Sequence, residues 1–409
     1  MSDISQFLIP RGFRFGATKA GLKASGRTDF ALIVADAPGS AAAAFTANRV
    51  TAAPLIVDKE HLKATGGKVR VVAINAGNAN CAAGQAGLDA ARATCTAAAE
   101  IFGCTPQEVF PSSTGIIGVP LPVQKLVAAL PGLADILGSE SDHFQQVAQA
   151  ILTTDTVEKT AFARLEIEAS DGTKQEVRIA AACKGSGMIH PQLVPHATML
   201  VYVLTDAQIE PSVLDTYLRQ SIDLSFNRIS VDGDTSTNDT VLLLASGASG
   251  VRLSRELTPA FDAALSYVCQ SLAHQIVADG EGVTHVITLD IRGAASSADA
   301  ALVARAIAHS PLCKTAWSSG DPNWGRLLAA AGYSGAVFSP DRTRIWIGAE
   351  PVFEYGARAG SFNEAAAHAA MMQPEYTITI DLGEGDATTR FLTCDLTAEY
   401  VHINADYST

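Results

Sequence analysis

Lys184-Gly-Ser-Gly-Met-Ile-His-Pro-Gln-Leu-Val-Pro-His-Ala-Thr-Met-Leu200 is the stretch on which the reading of this chain turns. Its first part is rich in turn formers: Gly185, Gly187, Pro191 and Pro195 all disfavour regular structure. Met199-Leu-Val-Tyr-Val-Leu-Thr205 then forms an apolar, partly β-branched run of buried-strand length. Thr198 therefore sits where a loop delivers the chain into a buried strand. A threonine at the start of a strand is most often structural. The same position also suits a nucleophile whose own α-amino group is freed by cleavage of the Ala197–Thr198 bond. Such an amine, with an unperturbed pKa of about 7.7–8.0, can take the hydroxyl proton near neutral pH.

Around this stretch lie 409 residues, 48% hydrophobic and 17% charged, a globular composition with ample material for a core. The formal net charge of −13 argues against nucleic acid or an anionic membrane surface as partner. The seven cysteines are scattered and hold no C-x-x-C, so they read as reduced thiols of a cytoplasmic protein. Met1 to Phe7 carries neither a basic nor an apolar leader region, so no secretory signal is expected. The uncharged run Gly185 to Thr205 holds too many prolines, glycines and histidines to cross a membrane.

Several loops carry candidate chemistry. Asn75-Ala-Gly-Asn-Ala-Asn80 follows a strand from Lys68 and precedes a helix from about Gly87 to Phe102. That is the shape of a phosphate cradle, but neither nucleotide fingerprint is present, so close packing with Asn side chains closing turns is the better reading. Pro111-Ser-Ser-Thr-Gly115 is either an ordinary turn or a place where Thr114 and Gly115 aim a hydroxyl and an N–H at one oxyanion. Leu152-Thr-Thr-Asp-Thr156 would cap or turn the chain. Lys184 is either solvated or binds a carboxylate. Asp232, Asp234 and Asp239 invite a calcium reading, yet the EF-hand pattern is absent and no metal is expected. Glu281, between Gly280 and Gly282, reads as a solvated loop residue. Further helices are expected at Ser141 to Leu152, Pro211 to Leu224, Pro259 to Ala278 behind a Thr258 cap, Ser297 to His309, and from Asp321-Pro322 onward. Tyr376 to Leu382 and Thr388 to Leu396, joined by Gly-Glu-Gly-Asp386, give a hairpin signal. The tail Tyr400 to Thr409 would fray.

Lys184-Gly-Ser-Gly-Met-Ile189 with Ala197-Thr-Met-Leu200 resembles the ornithine acetyltransferase family, the glutamate N-acetyltransferases of arginine biosynthesis. The Asn75–Asn80, Ser225–Thr240, Pro311–Ala316 and Gly320–Ala330 stretches carry the same resemblance, which runs from about residue 30 to 409. It implies an α/β fold: an αββα sandwich of Ntn-like type with a smaller α/β domain. It implies self-cleavage into 1–197, an alpha chain with the oxyanion hole, and 198–409, a beta chain opening on the Thr198 nucleophile. Thr114 and Gly115 would hold the oxyanion. Thr154 (or its neighbour Thr153), Lys184, Glu281, Asn404 and Thr409 would touch substrate, Glu281 taking the amino group. The reaction implied is ping-pong acetyl transfer from N2-acetylornithine to glutamate without a cofactor, with acetyl-CoA as a further donor. Two alpha and two beta chains, or a larger assembly, would form. An N-terminal-nucleophile aminopeptidase or amidohydrolase, and an uncleaved binding protein, are the competing readings. The sequence departs from the family in a longer segment at Gln192 to His196 and in His285, where the resemblance leads one to expect lysine.

Overall fold

Two unbroken apolar runs set the centre of the molecule. In the computed structural model, which describes residues 8–168, 174–191, 199–253 and 258–406, Leu200–Thr205 and Thr240–Ala245 are strands buried at every position. Runs that are apolar on both faces suit interior strands, and these two pair in parallel, Leu200 opposite Thr240. Each fully buried Val or Leu here stabilises by about 1.5–3 kcal/mol. In chain order the strands of the large sheet are β1 (Phe13–Thr18), β2 (Phe30–Phe45), β3 (Lys68–Asn78), β4 (Val109–Ile116), β5 (Lys159–Glu168), β6 (Lys174–Lys184), β7 (Leu200–Thr205) and, after the two-residue β8 (Gln208–Ile209), β9 (Thr240–Ala245). Their order is β4-β3-β2-β9-β7-β6-β5, with β1 on β2. β8 pairs with β10 (Arg252–Leu253). Strands from both sides of Thr198 therefore share one sheet, with β9 and β7 inserted between β2 and β6.

This sheet folds over on itself: Ile33, Val72 and Phe110 of one half share a core with Ala180, Tyr202 and Leu242 of the other, and helices cover the two outer sides. On one outer side α1 (Ala53–Thr65), α2 (Gly84–Phe102) and α3 (Val123–Asp135) pack over β1 to β4, while α4 (Ser141–Ala150) sends Phe144 and Val147 into the core between the halves. On the other lie α5 (Pro211–Asp223) against β2 and α6 (Pro259–Ala278) against β5 and β6. α2 ends as expected at Gly103, in the left-handed conformation with φ 62°. The sequence-expected Thr258 cap is only partly realised: Pro259 opens α6, but no Thr258 side-chain bond caps it.

The smaller unit has a six-stranded sheet made of β11 (Val286–Ala294), β12 (Arg344–Ile347), β13 (Glu350–Glu354), β14 (Ala357–Arg358), β15 (Glu375–Asp381) and β16 (Ala387–Cys394). α7 (Ser297–Ala308), α8 (Pro311–Ser318), α9 (Trp324–Gly332) and α10 (Glu364–Met371) build its core over one face. α11 (Ala398–Asp406) returns the chain to the larger unit. The mixed α/β class, with a large and a small unit, is what the sequence led us to expect.

Two local expectations are corrected. β15 and β16 do not form a hairpin: β11 lies between them, parallel to β15 and antiparallel to β16. Gly-Glu-Gly-Asp386 is a crossover over the end of β11, held by Glu384 N–H and Gly385 N–H donating to Gly293 C=O at 2.7 and 3.0 Å. The helix expected from Asp321-Pro322 starts at Trp324, because the Asn323 side chain accepts Arg326 N–H and caps it there.

Asp58 is an anomaly of the core. α1 turns it inward, fully buried, and neither carboxyl oxygen has a hydrogen-bond partner among the described residues. Burial pushes its pKa well above the usual carboxylate range, with Lys59 opposing weakly. A carboxyl whose folded pKa is raised contributes stability fully below its unfolded pKa, near 3.9, and loses it as pH rises through the folded value. Asp58→Asn cannot ionise. Its melting temperature relative to the native chain should therefore rise between pH 5 and pH 8, by the equivalent of about 1 kcal/mol or more. A pH-independent difference in thermal melts would show that Asp58 folds ionised.

Candidate active site

A cavity of about 140 Å³ opens where several loops converge at one end of the large sheet. It is lined by the end of β4 (Thr114, Gly115), the turn after α4 (Thr153, Thr154), and the end of β6 with its loop (Lys184, Gly187, Met188). Asp232 to Asn238, Glu281 behind α6, and Tyr400 and Asn404 of α11 complete it. Drug-sized ligands occupy about 300–1,000 Å³, so this space suits a small metabolite.

The β4 edge of the cavity is shaped by backbone contact. Gly115 has φ 129°, and a Cβ there would lie 2.4 Å from the carbonyl carbon of Gly77. β3 bulges at this point, with Asn78 opposite both Thr114 and Ile116. Asparagines close the turns around it. Asn75 Nδ2 donates to Asn78 C=O at 2.8 Å, and Ser113 Oγ donates to Asn75 at 2.6 Å. Asn238 Nδ2 donates to Ala79 and Ser113 carbonyls at 2.6 and 2.8 Å. The Asn75–Asn80 run is thus packing and turn closure beside the cavity.

Behind the cavity lies a set of buried charges. Lys159 Nζ sits 2.8 Å from Asp155 Oδ1 and 2.5 Å from Asp279 Oδ2, with side-chain exposures of 0%, 0% and 7% for the three. Asp155 also accepts Gly185 N–H at 2.6 Å and Thr153 N–H at 3.0 Å, and Lys184 Nζ lies 3.8 Å away. Asp279 accepts the N–H and hydroxyl of Thr156. Its backbone carbonyl takes Ser186 Oγ–H at 2.7 Å, and Ser186 C=O accepts Glu281 N–H at 3.2 Å. Burial alone would raise the Asp155 carboxyl, but Lys184 and Lys159 outweigh it and hold it well below the carboxylate range. Burial alone would lower Lys159, and the two aspartates raise it instead.

The opposite wall is set by Glu281. A Cβ on Gly187 would fall 2.4 Å from Glu281 Oε2, so only glycine leaves room for that carboxylate. Asn404 Nδ2 donates to the same oxygen at 2.8 Å. Met188 holds φ 57°, and Asp232 fixes this turn by accepting Met188 and Ile189 N–H at 2.6 and 2.8 Å. Burial raises the Asp232 pKa despite these bonds, and Tyr400 Oη lies 3.3 Å from it. The Asp232 carboxylate is occupied by backbone N–H groups. Among the described residues, no group of three or more His, Cys, Asp or Glu could hold a metal ion.

Six residues singled out from the sequence thus line one cavity: Thr114, Gly115, Thr154, Lys184, Glu281 and Asn404. Thr153 lines it beside Thr154. Ala197, Thr198 and Thr409 lie outside the described residues. The tail does not fray through Asp406; α11 forms instead and is pinned through Asn404 and Tyr400. His285 does not line the cavity: its Nδ1 faces Asp395 Oδ2 at 3.2 Å. Sequence reading missed Asp155, Lys159 and Asp279. The available signal was the Asp155-x-x-x-Lys159 spacing within a hydroxyl-rich turn. A larger cavity of about 600 Å³, lined by Arg228, Arg292 and Arg390 among others, contains none of the sequence-selected residues.

Comparison with known proteins gives concordant likenesses. A family model described as the ArgJ family matches residues 14–409. The arginine biosynthesis bifunctional protein ArgJ of Geobacter sulfurreducens is 44% identical over 404 residues, covering 98% of this chain and 99% of that one. The protein of the same name from Thermus thermophilus is 44% identical over 402 residues, covering 98% and 99%. A crystal structure of ornithine acetyltransferase from Mycobacterium tuberculosis, complexed with ornithine, is 32% identical, with a TM-score of 0.39 over 45% of this chain and 93% of that one.

Gly187→Ala should push the Glu281 carboxylate off its Asn404 contact. Overpacking of this kind costs about 1–3 kcal/mol. Hydrogen exchange across Ala398–Asp406 should quicken while that of the large sheet stays unchanged. Exchange as slow as in the native chain would mean that α11 does not depend on Glu281.

Proposed function

The chain belongs to the ArgJ family, and on that premise we propose that it moves the acetyl group of N2-acetylornithine to glutamate through an acetyl ester on Thr198. It is an acyltransferase of arginine biosynthesis, the process named for its relatives. The observation that carries this reading is convergence: the residues proposed for the oxyanion, the substrate carboxylate and the substrate amine all line one cavity. Thr198 is peptide-bonded to Met199, whose carbonyl accepts Thr240 N–H at 2.8 Å. The residues just before Thr240, from Ser236 to Asn238, line the same cavity. Met199, the residue that follows the proposed nucleophile in the chain, is thereby held beside the strand that leaves the cavity.

The chemistry follows from these parts. The chain cuts itself between Ala197 and Thr198, freeing the Thr198 amine. That amine takes the Thr198 hydroxyl proton as the oxygen attacks the acetyl carbon. The Thr114 hydroxyl and Gly115 N–H stabilise the tetrahedral oxyanion, where preorganised donors act most strongly. Collapse breaks the C–N bond, the ammonium returns its proton to the leaving nitrogen, and ornithine departs. The glutamate amine then attacks the acetyl-Thr198 ester and leaves as N-acetylglutamate, its proton passing back to the threonine oxygen. Lys184 takes the substrate carboxylate, Glu281 with Asn404 takes the side-chain amine, and Thr154 and Thr409 complete the contacts. Acetyl-CoA, acylating the same threonine, accounts for the bifunctional name of the relatives. Fragments 1–197 and 198–409 stay together and assemble as two alpha and two beta chains in the cytoplasm.

The deciding experiment is incubation of purified protein with N2-acetylornithine and glutamate, with products and fragments identified by mass spectrometry. Ornithine, N-acetylglutamate and a fragment beginning Thr-Met-Leu are expected. Thr198→Ser should cleave slowly, since serine keeps the oxygen but loses the methyl that restricts χ1. Thr198→Ala should stay whole and inactive. A folded alanine variant that cleaves or transfers acetyl ends this reading.

Thr114→Ala tests the oxyanion role separately. Loss of one donor should lower kcat by about 10²–10³. Its melting temperature should barely move, because Thr114 is half-exposed at the cavity wall. Parallel losses of turnover and melting temperature would assign Thr114 to the fold instead.

A further inference from the structure

The buried charges behind the cavity form a chain of alternating sign, Lys184(+)–Asp155(−)–Lys159(+)–Asp279(−), with successive N···O separations of 3.8, 2.8 and 2.5 Å. One end, Lys184, lines the cavity. The other end, Asp279, lies two residues before Glu281, which lines the cavity from the other side. Backbone bonds lock both ends to the chain: Gly185 N–H to Asp155 at 2.6 Å, and Ser186 between the Asp279 carbonyl and the Glu281 N–H at 2.7 and 3.2 Å. The Lys159 and Asp155 side chains are wholly buried, so water does not screen the links between them. The backbone segments that carry the cation and the anion facing the cavity are therefore joined through buried ionic and backbone contacts, of which Lys184 to Asp155 is the longest.

Resting on the proposed roles of Lys184 and Glu281, we infer that Lys159 is a specificity-determining positioning residue. Through Asp155 and Asp279 it fixes the spacing between the carboxylate-binding and amine-binding groups, and so the length of diamino acid that the enzyme accepts. Lys159 itself touches no substrate. The chain acts as a ruler: an N2-acetyl diamino acid one methylene longer or shorter than N2-acetylornithine places its amine off Glu281 when its carboxylate is on Lys184. A single methylene is typically worth about 10–200-fold in discrimination.

The test compares kcat/KM for N2-acetylornithine, N2-acetyllysine and N2-acetyl-2,4-diaminobutyrate, with glutamate as acceptor. The native enzyme should prefer the ornithine derivative by about 10–200-fold. Lys159→Met should reduce that ratio about tenfold or more, chiefly through KM for the ornithine derivative, while cleavage before Thr198 still goes to completion. Asp279→Asn leaves Lys159 paired with Asp155 and should move the ratio the same way by less. It reports even if Lys159→Met does not fold. Variants that lose activity equally on all three substrates, with the ratio unchanged, make Lys159 merely structural and overturn the inference. A native chain that transfers no acetyl from any of them overturns the proposed function, and the ruler with it.

Discussion

A single ammonium group, Lys159 Nζ, ties together the loops that build the cavity. Moving isolated charges out of water costs several kcal/mol per ion, and Coulomb attraction repays that only when geometry is good and the remaining lone pairs are satisfied. Both conditions are met here. Asp155 spends its oxygens on Lys159, Gly185 N–H and Thr153 N–H, and Asp279 spends its own on Lys159 and Thr156. A buried ion cluster adds little stability over a well-packed apolar one. What it adds is direction. Each bond names a partner, so the Thr153–Thr154 turn, the Lys184–Gly187 loop and the Glu281 loop have one relative arrangement.

The large sheet explains how the chain tolerates the cut proposed before Thr198. β7 pairs with β6 on one side and β9 on the other, and β9 pairs with β2. Two ladders therefore join residues before and after the cut. Both strands are buried at every position, so separation would expose continuous apolar surface as well as unpaired backbone groups. The nucleophile proposed here thus sits at the first residue of a fragment whose second residue onward is already locked into the core.

The α11 segment closes the site on a different principle. Its residues are half-buried or exposed, so its own apolar contacts hold it weakly. Asn404 on Glu281 and Tyr400 beside Asp232 hold it at two polar points. Burial, with Asp232, Asp234 and Glu281 nearby, pushes the Tyr400 phenol up, so it stays protonated and able to donate to Asp232. Elements held by few polar contacts open at lower free energy than core strands, which suits a wall that substrates must pass.

Composition and periodicity determined much of this protein. The apolar runs at Leu200–Thr205 and Thr240–Ala245 announced interior strands, and Gly103 announced the end of α2, because burial and left-handed backbone leave local marks. The residues of the cavity were legible only through the family resemblance: taken alone, Thr114-Gly115 read equally as a turn, Lys184 as a solvated lysine and Glu281 as a solvated loop residue. Tertiary structure alone decided the rest. The β15–β16 hairpin signal was false because β11, distant in sequence, lies between the two strands and pairs with both. Lys159 finds Asp279 across 120 positions of sequence, and Asn404 finds Glu281 across 123. An apolar face repeats at a fixed period because every turn of helix or pleat of strand meets the same core. An ionic pair between distant segments forms once, has no period, and exists only after the fold has brought its members together.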